Sequence, residues 1–349
     1  MKPRNAHVAV AIAGVVLLAA GATACNRAGA DATAGGGGKP AIGVDLPRAD
    51  SDFWNSYATY LNLEVKKGSL RTLPFSSSEN DVTKLVANVQ VMERTGAKAI
   101  VMAPQDTGAI ASTLDRLADK NIPVVSVDTR PDTGKVFMVV RADNRAYGTK
   151  ACEYIGKQLG GKGKVTEFQG DLTSINGRDR SEAFESCMKE KFPGITVFPL
   201  PTNWDGAVAS SKLQTLLAQH PDIKGIYMQA GGVFLQPTLA LLQQKGLLKP
   251  VGDAGHITIV SNDGIPQEFE AIRKGQIDAT VSQPADLYAK YALFYANAAA
   301  EGKTFKPGPT DHGSTIIQLP DGLEDQLPAP LVTKENVDDE SLWGNSIDK

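Results

Sequence analysis

The sequence predicts an α/β protein built as two doubly wound parallel-sheet lobes with a cleft between them. Three observations carry this. Short β-branched runs alternate with longer amphipathic stretches through most of the chain, the pattern of parallel strands covered by helices on both faces. The same rhythm restarts at about residue 147. The strands so marked are too many for one sheet of ordinary size, whereas 349 residues are comfortable for two domains.

Taken in order, Ala41–Val44 reads as a strand and Phe53–Lys66 as a helix. Leu70–Leu73 precedes a helix over Val82–Arg94, and Ala99–Met102 is a strand. Ile110–Lys120 has apolar residues at helical spacing, followed by strands at Pro123–Val127 and Val136–Val140. The second round begins with a helix over Tyr147–Leu159, a strand at Lys164–Phe168 and a helix over Arg180–Lys191. Strands at Ile195–Phe198, Gly225–Met228, Ile257–Val260 and Ala279–Ser282 then alternate with helices at Ala207–Ala218, Phe234–Lys245, Ile265–Lys274 and Leu287–Ala300.

The N-terminus bounds the compartment. Lys2 and Arg4, the apolar run Val8–Ala20 and the small residues Ala22-Thr23-Ala24 follow the order of a secretory signal. Residues 1–24 are therefore expected to be a signal peptide. Cys25 directly after the cut resembles the lipid-attachment site of a bacterial lipoprotein, and 25–38, with Gly35–Gly38, a flexible tether. The alternative is cleavage elsewhere with Cys25 incidental. An exported protein has little call for ATP or NAD chemistry. The formal charge is −3, and losing Lys2 and Arg4 takes it to −5; no basic run of the nucleic-acid-binding kind is present. No second apolar run is long enough to span a membrane. Cys152 and Cys187 remain as a candidate disulfide in an oxidising compartment, or else as two buried thiols.

Ligands of such sheets sit beyond the carboxyl ends of the strands. That rule selects Asp45, Gln105, Asp128, Asp143, Gln169, Gln229, Asp263 and Gln283 as polar candidates. Catalytic motifs fail. Gly156–Lys162 has phosphate-loop spacing, but Gly163 stands where Ser or Thr should hold magnesium, and the segment follows a helix instead of a strand. No nucleophile elbow is present, and His7, His220, His256 and His312 lack paired metal-ligand spacing. Neither an enzyme, a cofactor nor a metal is expected.

Several strand-end segments together resemble the periplasmic sugar-binding proteins, the ribose/galactose-type solute receptors of ABC transporters. The resemblance runs from about Lys39 to Pro309. It is carried by Asp52-Phe53-Trp54, Val124–Asp128, Arg141–Asn144, Gly177–Arg180, Asn203-Trp204-Asp205, Ser261–Gly264 and Val281–Pro284. It implies a ligand-binding set of Phe53, Trp54, Asp128, Arg178, Trp204, Asp263 and Gln283. Arg130 is a further candidate beside Asp128, while Arg180 is left to a structural pair. The chemistry is apt. Phe53, Trp54 and Trp204 can cover the C–H faces of a sugar, Asp128 and Asp263 can accept from hydroxyls, Arg178 can donate a planar fork, and Gln283 can do both. Phe53 equally fits a packed core, Trp204 a helix start capped by Asp205, and the two aspartates turn positions. Ala103-Pro104 and Ala230-Gly231 stand where the family often has asparagine, and Gly231-Gly232 is expected to widen the cleft.

The resemblance implies a two-lobed receptor that hands a sugar to an ABC membrane permease, anchored on the outer face of the membrane by its lipid and monomeric. The alternative is a receptor for a polyol, nucleoside or signalling molecule. A sugar-responsive repressor would need a DNA-binding helix-turn-helix where the signal stands. The first lobe is expected to comprise 39–141 and 284–312, the second 142–283 and 313–330, with 331–349 a tail. The chain then crosses between lobes three times, near Asp143, Gln283 and Gly313.

Overall fold

Strands buried on both faces send alternate residues into opposite cores. Ala99–Met102 does so: Ala99 and Val101 join Ile42, Val44, Tyr57 and Leu61, whereas Ile100 and Met102 join Leu85, Val89, Leu114 and Leu117. The computed structural model describes residues 39–347. The expected signal peptide, Cys25 and the glycine tether lie outside them, as do the last two residues of the expected tail.

The first lobe opens with β1 (Ala41–Leu46), α1 (Asp52–Lys66), β2 (Arg71–Thr72), β3 (Ser76–Ser77), α2 (Val82–Arg94) and β4 (Ala99–Met102). It continues with α3 (Ala111–Asp119), β5 (Val124–Val127) and β6 (Met138–Ala142). The second lobe contains α4 (Asn144–Gln158), β7 (Lys162–Gln169), α5 (Ile175–Lys191), β8 (Gly194–Pro201), α6 (Gly206–Gln219) and β9 (Ile223–Met228). It goes on through α7 (Gly231–Gln244), β10 (Thr258–Asp263), α8 (Pro266–Arg273) and β11 (Ala279–Ser282). The chain returns in α9 (Ala285–Ala300), which packs on α1 and across β4–β6. It ends with β12 (Gly308–Pro309), β13 (Thr315–Leu319), β14 (Gly322–Leu327) and β15 (Leu331–Thr333).

The first sheet runs β12-β13-β14-β6-β5-β4-β1-β2, with β3 also on β1; the second runs β15-β11-β10-β9-β7-β8. Pairing is parallel except at β12–β13, β13–β14 and β11–β15. Two expectations are corrected here. Residues 313–330 do not belong to the second lobe: β14 pairs with β6, Glu324 opposite Val139 and Leu327 opposite Ala142. The hairpin turn Pro320-Asp321-Gly322 makes this possible, and the third crossing falls at Pro328–Pro330 instead of Gly313. Nor is the expected tail 331–349 separate from the lobes over its described residues, 331–347. Leu331–Thr333 extends the second sheet, and buried Trp343 packs edge-on to Phe53 and Tyr60 of α1, 6.1 and 6.4 Å between ring centres.

Cys152 on α4 and Cys187 on α5 are joined in a disulfide. The two helices are in close contact, for a Cβ on Gly148 would lie 2.2 Å from the Arg180 carbonyl. Among the described residues no helix is long and apolar enough to cross a membrane.

A loop of the second lobe carries a pH-sensitive contact. His256 Nε2 meets Asp278 Oδ2 at 2.8 Å and its Nδ1 meets the Lys249 carbonyl at 2.7 Å, so both ring nitrogens face acceptors. Burial disfavours the charged ring, but the Asp278 bond and charge and the Lys249 carbonyl outweigh it and raise its pKa above the usual histidine value. A raised folded pKa stabilises fully below the unfolded value, roughly 6.5, and that stability is lost as pH rises through the folded one. The melting temperature of wild type relative to His256→Gln should therefore fall as pH rises above roughly 6.5; a pH-independent difference would remove His256⁺ from the account.

Candidate functional site

The strand ends of both sheets face one cavity walled by both lobes. From the first lobe, the start of α1 supplies Ser51, Phe53 and Trp54. Phe53 and Trp54 are edge-to-face at 5.2 Å, and Phe53 also meets Tyr288 of α9 at 6.1 Å. Phe53 is thus both core and wall, so the two readings of it are compatible.

Asp128 follows β5 in a left-handed conformation, φ +62°, which aspartate tolerates better than most side chains. Its Oδ2 accepts from Asn176 Nδ2 of the second lobe at 2.7 Å, whereas Oδ1 is buried without a partner. Burial raises the carboxyl's pKa, and Arg180 and Arg141 pull against it. Asn176 is fixed from its other end, its Oδ1 accepting from Arg141 Nη2 at 2.9 Å.

In the second lobe the centre is Arg180. It is 2% exposed and makes three bonds: Nε to Asn144 Oδ1 (2.6 Å), Nη1 to the Gln229 carbonyl (2.5 Å) and Nη2 to Gln283 Oε1 (3.2 Å). Its guanidinium lies 5.0 Å from the Tyr147 ring centre and 5.7 Å from that of Trp204, within cation–π reach of both. Gln283 Nε2 passes the network on to Asp263 Oδ1 at 2.6 Å, and the Gly232 N–H donates to Asp263 Oδ2 at 2.7 Å. Burial pushes Asp263 and its neighbour Glu268 well above the usual carboxylate range, and the charge of Arg180 draws Asp263 part of the way back. Trp204 stacks on Phe234 and occupies the space a Cβ on Gly170 would fill, 2.1 Å from the ring. Its Nε1 is buried and unpartnered.

Six expected site residues meet here: Phe53, Trp54, Asp128, Trp204, Asp263 and Gln283. Two do not. Arg178 lies outside the cavity lining, bound to Asp132 and to the Leu172 and Thr173 carbonyls. The reason is helical phase. Helix α5 begins at Ile175, well before the expected Arg180, so Asn176 and Arg180 share a face and Arg178 points elsewhere. Arg130 is also displaced. Thr129 is tucked into the core, and Arg130 turns to Glu324 on β14, 3.6 Å away.

Sequence reasoning missed Arg180, Asn176, Arg48, Ser51 and Val233 as lining residues. The i, i+4 spacing of Asn176 and Arg180 was the available signal. Among the other strand-end candidates, Gln105 lines the cavity, whereas Asp143 caps α4 through the Arg145 and Ala146 N–H groups. Gln229 is satisfied inside its own lobe by Glu167, Ser181 and Gly170, and Asp45 Oδ1 accepts from Ser76 and Asn88 of its own lobe. Gly231-Gly232 does not widen the cleft. The place of a Cβ on Gly232 is 2.8 Å from Ser51 Oγ and 3.0 Å from the Phe53 nitrogen, so the glycine lets the lobes approach.

Two α/β lobes around a polar cavity with aromatic walls define a solute-binding protein. The chain belongs to the periplasmic binding protein domain family, whose model matches residues 42–304. It is 25% identical over 263 residues to the ribose import binding protein of Bacillus subtilis, covering 75% of this chain and 82% of that one. It is 27% identical over 338 residues to the xylitol-binding protein of Mycolicibacterium smegmatis, covering 95% and 86%. The fold also matches that of an ABC transporter solute binding protein from Mycobacterium smegmatis solved with glycerol. The TM-score there is 0.74 at 24% identity, over 86% of this chain and 96% of that one.

Proposed function

We propose that this chain is an extracytoplasmic receptor that closes on one small sugar and delivers it to an ABC membrane permease. The carrying observation is a pair of buried, unpartnered atoms on residues of one cavity: the acceptor Asp128 Oδ1 and the donor Trp204 Nε1. Each costs about 1–3 kcal/mol if left unsatisfied. A hydroxyl donates and accepts, so a polyhydroxylated ligand satisfies both, while Phe53, Trp54 and Trp204 cover its C–H faces. Because the two atoms belong to different lobes, the ligand favours the closed state, the only one offering both. The polar groups serve binding, and no enzymatic step is invoked. The mature chain is taken as a monomer tethered through a lipid on Cys25.

A polyol is the second reading. It is favoured by apolar Ala230 in the lining, which asks for fewer ligand hydroxyls, and by the relative that binds xylitol. A thermal-shift panel separates the two. At a hundred times its dissociation constant the cognate ligand adds about 2.7 kcal/mol of stability. Pentoses and hexoses are expected to raise the melting temperature, with D-ribose, D-allose and xylitol as first probes. A response confined to polyols selects the second reading, and silence from sugars, polyols and nucleosides sinks both.

A further inference from the structure

We infer that Arg178 is a positioning residue for ligand retention, fastening the closed cleft at its rim without touching the ligand. Its Nη2 donates to Asp132 Oδ1 and reaches Thr107 Oγ1 at 3.4 Å, while Nη1 donates to the Leu172 and Thr173 carbonyls at 3.1 and 3.0 Å. Thr107 and Asp132 belong to the first lobe, and Leu172 to Arg178 to the second. Backbone contacts join the same patch: the Thr107 N–H faces the Thr173 carbonyl at 3.4 Å, and the Ile175 N–H donates to Thr107 Oγ1 at 3.2 Å. Thr107 is fully buried between the lobes yet is no part of the cavity lining. Arg178 therefore carries the charge of a polar clasp that is separate from the ligand contacts.

A clasp made only in the closed state multiplies the closure equilibrium. Ligand affinity inherits that factor, because apparent affinity scales with the population of the competent state. The factor is blind to ligand chemistry, so it shifts all ligands together. Arg178 and Asp132 are about one-third exposed, which limits their pair to roughly a threefold to fivefold effect.

The test compares Arg178→Ala, Asp132→Ala and the double variant; the inference rests on the receptor reading for its probes alone. For whichever of D-ribose, D-allose and xylitol binds wild type, each single change should speed dissociation about threefold to fivefold. The double change should add little more, and Arg178→Lys should recover part of the loss. Association rate and the rank order of the probes should stay unchanged. Unchanged dissociation, or an altered rank order, overturns the clasp. If no probe binds wild type, the receptor reading fails instead. The clasp is then read from spin-label distances between the lobes without ligand: a smaller closed fraction in Arg178→Ala supports it, and an unchanged distribution overturns it.

Discussion

Arg180→Ala is expected to abolish sugar binding and to destabilise the ligand-free protein by about 3–5 kcal/mol, the usual cost of removing one partner from a buried charge network. The guanidinium is 2% exposed and gives one hydrogen bond each to Asn144, Gln229 and Gln283. A guanidinium has five N–H donors, so two remain for a ligand. Its charge also holds down the pKa values of Asp128 and Asp263, which burial raises. Without it both carboxyls shift toward the neutral form, and a neutral carboxyl is a weaker acceptor for a ligand hydroxyl. Loss of a hydrogen-bonded buried charge at an interface costs about 2–5 kcal/mol or more, which is about three-hundredfold in affinity at mid-range. Calorimetry on the cognate sugar is the check, and Arg180→Lys should restore charge but not the three-way fork. Binding within about tenfold of wild type would remove Arg180 from the centre of the site.

Gly232→Val is expected to weaken binding by about fivefold to a hundredfold while leaving the ligand-free melting temperature nearly unchanged, because overpacking typically costs 1–3 kcal/mol and here falls on the closed state. The nearest atoms to the new Cβ are Ser51 Oγ and the Phe53 nitrogen, both across the cleft. Opening the lobes relieves that clash. Gly231→Ala is the contrast: its Cβ would lie 2.1 Å from Glu268 Oε1, within the same lobe, so it should lower the melting temperature with or without ligand. Titration and thermal melts of both variants decide the matter. Undiminished binding by Gly232→Val would mean that closure does not bring these segments together.

The sequence was most legible where the chain is most regular. Helix Val82–Arg94 and strand Ala279–Ser282 fall where alternation and apolar spacing put them. Six of the eight proposed ligand contacts meet in one cavity, because strand ends in doubly wound sheets converge whatever their side chains. The failures have local causes. The helix expected from Arg180 in fact starts at Ile175 and runs through Asn176-Gly177, with no room for a Cβ at 177 beside the Asp171 carbonyl. That shifted start re-phased the two arginines and exchanged their roles. Of the strands of 308–333, β12, β13 and β15 lie at or near sheet edges and pair antiparallel, while β14 carries Glu324-Asp325-Gln326 where the central strands are apolar, so none shows the apolar density of a central strand.

The disulfide between α4 and α5 ties the site to the history of the chain. Asn144 and Tyr147 stand on one of these helices, Asn176 and Arg180 on the other, and together they set the arginine in its place. Covalent closure of that pair needs an oxidising environment. Redox state and recognition are thereby linked: the two helices that carry the arginine platform are fastened covalently only under oxidising conditions. A biosensor built on this scaffold and produced in a reducing cytosol would carry the right residues on two helices held by packing alone.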